Sequence, residues 1–68
     1  MSTYTLTASL GEDFRISAIF ADNDTEATFT AINEIMGKAH RNKTGPWALG
    51  EIKLLSPSGE LLREMPAK

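Results

Sequence analysis

Residues 3–10 read Thr-Tyr-Thr-Leu-Thr-Ala-Ser-Leu, with Tyr4, Leu6, Ala8 and Leu10 on one side and Thr3, Thr5, Thr7 and Ser9 on the other. Successive side chains of a strand point to opposite faces, so this period of two predicts a half-buried strand. Residues 14–21 alternate as well. Phe14, Ile16, Ala18 and Phe20 form one row, and Arg15, Ser17, Ile19 and Ala21 form the other.

The turn between the two strands sets which row meets the core. A two-residue loop at Gly11-Glu12 places Leu10 opposite Asp13 and Leu6 opposite Ser17. A three-residue loop, Gly11-Glu12-Asp13, pairs Leu10 with Phe14, Ala8 with Ile16, Leu6 with Ala18 and Tyr4 with Phe20. Those pairs are all apolar, and a slip of one residue exchanges the faces, so the pattern favours the three-residue loop.

Ala21-Asp22-Asn23-Asp24-Thr25-Glu26 reads as a helix start. Asp22, Asn23 and Asp24 are all capping residues, and Asn23 with Glu26 has capping-box spacing. The helix is expected over 24–41, burying Phe29, Ile32, Ile35, Met36 and Ala39. Lys38, His40 and Arg41 complement the negative end of its dipole. Asn42-Lys43-Thr44-Gly45-Pro46 ends it. A second hairpin is expected over 47–55 and 60–65, around Ser56-Pro57-Ser58-Gly59, with a type I turn and a bulge at Gly59. It pairs Leu55 with Leu61, Leu54 with Leu62, and Ile52 with Glu64.

The expected fold is therefore α+β: ββαββ, a four-stranded antiparallel sheet with one helix packed on one face, in a single domain spanning 1–68. Its 68 residues bury a marginal core, and small chains of this kind are usually stapled by disulfides, metal or oligomerisation. With no cysteine and a single histidine, a disulfide or a thiolate or histidine metal cage is excluded, which leaves self-association as the remaining common remedy, beside helix and sheet packing alone. No cofactor or metal is expected. The residues before Leu10 have no basic and apolar leader pattern, and no apolar run approaches a membrane span.

One helix covers one side of a sheet. Tyr4, Leu6, Ala8, Leu10, Phe14, Ile16, Ala18 and Phe20, with Ile52, Leu54 and Leu62, are expected beneath it. The opposite parity leaves Trp47, Leu49, Leu55, Leu61 and Met65 on the open side, beside Ile19, Ala21 and the threonine row. Burying such groups is worth roughly 1.5–3 kcal/mol each before association costs. A homodimer or partner interface on these five residues is the resulting expectation. In the competing reading Trp47 and its neighbours fold over the core edge, and Gly50 is a candidate bulge that would alter the parity.

Catalytic patterns are missing from the sequence: no phosphate loop, no His-Glu-x-x-His and no nucleophile elbow. Ser9, Ser17, Ser56 and Ser58 have only His40 as a base, and Glu51 and Glu64 read as solvated strand carboxylates. The chain is not expected to be an enzyme. Charge is uneven: residues 1–36 carry one base and six acids, and residues 37–68 six bases and three acids. Lys38, Arg41, Lys43 and Trp47 lie close together, and bases with an aromatic can contact phosphates and stack on an exposed nucleobase. A weak nucleic-acid-binding role is the alternative reading, disfavoured by the net charge of −2.

With its Ala-Asp-Asn-Asp-Thr-Glu-Ala helix entry and Ser-Pro-Ser-Gly hairpin, this cysteine-free chain resembles the small accessory proteins of actinobacterial phages. The resemblance implies a compact gene product, cytoplasmic in an infected cell, often dimeric, and acting by binding a host or phage protein.

Overall fold

The computed structural model describes residues 1–66; Lys68, counted among the bases above, lies outside them. The chain is α+β. Strands β1 (Ser2–Leu10) and β2 (Asp13–Ala21) are followed by helix α1 (Asp24–Arg41) and a single helical turn, α2 (Pro46–Leu49). Strands β3 (Glu51–Leu55) and β4 (Leu61–Pro66) complete it. The four strands form one antiparallel sheet in the order β2-β1-β3-β4, and α1 packs on one face.

The expected strand at 47–55 is shorter than the alternation implied. Pro46 at the first helical position turns residues 46–49 into α2, which ends with the Gly50 N–H bonding to Pro46 O at 2.8 Å. Gly50 is not a bulge. Its backbone runs so close to Ser9 O and Pro46 O that a Cβ has no room. This close approach seats α2 against β1 before β3 begins.

The first hairpin uses the two-residue loop, not the three-residue one. Leu10 pairs with Asp13, Leu6 with Ser17 and Tyr4 with Ile19. Gly11, at φ +61°, takes the left-handed first position of a II′-type turn, which matches the twist of the strands. The row of Ile19 and Ala21 is therefore the buried one, and Phe14, Ile16 and Phe20 face away from α1.

The helix explains why the smaller row is inside. Its buried residues are Ala27 and Ala31, with Ile35 packed beside them. An alanine stripe brings the helix backbone close to the sheet, leaving space for Ile19 and Ala21 but not for two phenylalanines. Phe29, Ile32 and Met36, expected in the core, are exposed instead. Tyr4, Leu6, Ala8, Ile52 and Leu54 complete the core, and Trp47, Leu62 and Met65 pack against it.

The N-cap is Asn23. Its Oδ1 accepts from the Glu26 N–H at 2.8 Å, and Glu26 Oε1 accepts from the Asp22 N–H at 2.6 Å. The capping box is thus shifted by one residue at its return bond. Gly59, at φ +95°, closes the second hairpin. Leu55 pairs with Leu61 as expected, but a bulge between Leu54 and Leu55 makes Leu62 the extra residue on β4. Beyond it Leu54 pairs with Arg63 and Ile52 with Met65. The expected Leu54–Leu62 and Ile52–Glu64 pairs are displaced by that one residue.

Candidate interaction surface

Antiparallel register places four columns of side chains on the face that α1 leaves open. The edge strand β2 contributes Phe14, Ile16, Ala18 and Phe20. β1 contributes Ser9, Thr7, Thr5 and Thr3 opposite them. β3 adds Glu51, Lys53 and Leu55, and β4 adds Glu64 and Leu61. Phe14, Ile16 and Phe20 are 57%, 64% and 59% exposed. Side chains at alternate positions of one strand are neighbours, so they form a continuous apolar row along the sheet edge.

Across the threonine column, Leu55 and Leu61 pair at the end of the face nearer Phe20. The other end is polar, with Lys53 Nζ 4.0 Å from Glu64 Oε2. The open face is thus apolar along β2 and at the Leu55–Leu61 corner, with uncharged hydroxyl groups between them and charge at the far end of β3 and β4. Of the five residues expected on it, only Leu55 and Leu61 are there. Trp47 and Leu49 belong to α2, where Trp47 packs on the core edge and Leu49 is exposed. Met65 is turned to the core side by the Leu62 bulge. Phe14, Ile16 and Phe20 were assigned to the core by apolar pairing. The signal that identifies them as outward is Gly11 at the first position of a two-residue loop.

A second apolar surface lies on α1. Phe29 and Ile32 line a groove with Thr28 and Asp24, whose opposite wall is Leu62, Arg63 and Glu64 of β4. Met36 continues the exposed stripe beyond it.

The basic segment is split by the fold. Lys38 Nζ sits 5.4 Å from the centre of the Trp47 ring, a cation–π contact that covers part of the half-buried indole. Arg41 and Lys43 are exposed and make no such contact with it. The Trp47 ring is engaged by the core on one side and by Lys38 on another, so it is not an open stacking platform.

Electrostatic perturbation is small and local. Arg15 Nε donates to Asp13 Oδ1 at 2.8 Å, which holds the Asp13 carboxyl below the usual carboxylate range. The same bond raises the Arg15 guanidinium further. Among the described residues no group of three or more His, Asp or Glu side chains is placed to hold a metal ion. No described helix is long and apolar enough to cross a membrane. Comparison with models of known families, with curated proteins and with solved structures finds no match to this chain. The functional reading therefore rests on the surface itself, whose exposed large hydrophobic groups have the character of an interaction surface.

Proposed function

We propose that this chain is a small non-enzymatic protein-interaction module that associates with itself through the open side of its sheet. The observation that carries this reading is the row of Phe14, Ile16 and Phe20, exposed along β2 while the smaller Ile19 and Ala21 fill the core. Burial of each large side chain is worth roughly 1.5–3 kcal/mol before the cost of association. A soluble monomer seldom leaves a contiguous apolar row uncovered. Leu55 and Leu61 extend the same face and replace the wider set that included Trp47, Leu49 and Met65.

Light scattering over a dilution series tests it. The expected mass is near twice 7.4 kDa. Ile16→Asp, at an exposed position on the face away from α1, is expected to return the mass to that of a monomer with its circular dichroism unchanged. A monomeric wild type at every concentration, or an unchanged dimer in Ile16→Asp, overturns the reading. Nucleic-acid binding through Lys38, Arg41, Lys43 and Trp47 has less support, because the ring that stacking needs is already engaged by Lys38. The phage-type role of binding a host protein is carried by no surface feature beyond this one.

A further inference from the structure

The two edges of the sheet are built differently. β4 is bulged at Leu62, carries Arg63 and Glu64, and ends at Pro66. Bulges, charges and proline are the devices by which edge strands avoid pairing with other chains. β2 has none of them over its centre. Its ladder with β1 runs without interruption from Leu10–Asp13 to Ser2–Ala21, and its only charged residues, Asp13 and Arg15, lie at one end and neutralise each other.

The backbone groups on the free edge follow from the turn. A two-residue hairpin loop is closed by a hydrogen-bonded pair, here Leu10 and Asp13, and antiparallel pairs alternate from there. Asp13, Arg15, Ser17, Ile19 and Ala21 therefore bond to β1. Phe14, Ile16, Ala18 and Phe20 direct their N–H and C=O groups outward. The residues whose side chains form the apolar row are the same ones whose backbone is unpaired.

We infer that a second copy of this chain pairs with β2 in antiparallel fashion, with the two-fold axis at Ser17, so that the two sheets become one. In this register Phe14 meets the partner's Phe20, and Ile16 meets the partner's Ala18. Each is a hydrogen-bonded pair, and each is apolar on the open face. Arg15 falls opposite the partner's Ile19 and Asp13 opposite the partner's Ala21, so no like charges oppose one another within the strand. Moving the axis to Arg15 would bring two guanidinium groups face to face. An isologous contact of this kind closes at two copies, because it uses up the edge that forms it. The inference rests on the self-association proposed above but places its contact at the free edge of β2, with the apolar row lying beside the seam, against the alternative in which two open faces stack.

The chain has no cysteine, so a single introduced thiol reports on geometry without interference. Ser17 opposite the partner's Ser17 is a non-hydrogen-bonded pair, with Cα atoms roughly 4.5 Å apart, inside the range a disulfide spans. Under mild oxidation Ser17→Cys is expected to form a covalent dimer rapidly and nearly completely. Ser58→Cys, exposed in the turn before β4, is the control for random collision and is expected to cross-link at least tenfold more slowly. Ala18→Pro removes an outward N–H and no bond to β1, so the expected product is a folded monomer. If wild type is dimeric but Ser17→Cys reacts no faster than Ser58→Cys, or folded Ala18→Pro stays dimeric, edge pairing is wrong while self-association through the face stands. A wild type that is monomeric throughout overturns both. If Ala18→Pro does not fold, the ratio of cross-linking rates decides alone.

Discussion

The Tyr4 hydroxyl donates a 2.8 Å hydrogen bond to Asp24 Oδ1, joining a buried strand residue to the first residue of α1. Only the protonated phenol makes this bond. It is the largest reason the Tyr4 pKa lies above the ordinary 10.0, with desolvation and the charges of Asp24 and Glu26 acting in the same direction. The folded state therefore holds the proton more tightly than the unfolded chain. The stability this contributes is fully present below pH 10 and is lost as pH rises through the raised value. Tyr4 is the only tyrosine, so tyrosinate absorbance reads its titration directly. A midpoint above the ordinary value is expected, returning toward it in Asp24→Asn. A wild-type midpoint at the ordinary value would remove the linkage.

Gly50 and Gly37 are expected to respond to alanine with opposite signs. A Cβ at Gly50 meets the backbone oxygens of Ser9 and Pro46, the latter at 2.7 Å, and neither is the end of a flexible side chain. Gly50→Ala should cost about 3 kcal/mol, at the upper end for overpacking. Gly37 lies within α1 with nothing near the added atom, so Gly37→Ala should stabilise by about 1 kcal/mol through helix propensity. Urea denaturation of the two variants checks both, and equal shifts of one sign would contradict the close approach at Gly50.

The alanine stripe of α1 makes a second contrast. Phe29 is 64% exposed, so Phe29→Ala should change stability by less than about 0.5 kcal/mol, the usual range for surface sites. A core phenylalanine would lose about 3–5 kcal/mol. Ala31 is fully buried against the sheet, and Ala31→Leu should destabilise by about 1–3 kcal/mol because the helix must move away. Thermal unfolding separates the two sites, and a large loss at Phe29 would restore the helix face expected from spacing alone.

Asn23→Ala should cost about 1 kcal/mol, because the Glu26 N–H loses its acceptor. Asn23→Asp retains an acceptor beside the positive end of the helix and should stay near wild type. Helical circular dichroism against temperature provides the comparison.

The order of the four strands and the main helix, the helix bounds 24–41 and the turn glycine Gly59 were legible because each has a local cause: alternation, a capping residue, a position that needs positive φ. The faces were less legible. On β2 both rows carry apolar groups, and maximal apolar pairing sends the larger row inward. The turn at Gly11 and the thin space beneath Ala27 and Ala31 decide otherwise, and neither enters a count of hydrophobic residues. On β4 a single extra residue, Leu62, exchanges the roles of Glu64 and Met65. That bulge has no sequence marker, since the glycine expected to signal one, Gly50, closes α2 instead. An exposed apolar surface was anticipated in kind, and most of its residues were misplaced for the same reason: a parity argument is only as good as its register.

The strand order also shapes how the chain is made. β1 is synthesised well before β3 yet occupies a central position, with β2 on one side and β3 on the other. Its first flank fills at once through a tight turn. Its second stays vacant until residues 51–55 have been synthesised and the loop through α1 and α2 has closed, a long-range step that is slow relative to hairpin formation. In that interval the nascent hairpin presents two open edges and an aromatic row, the state most prone to pairing with a neighbour on the same message. Expression yield should therefore depend on translation speed and copy density more than the small size of the finished fold suggests.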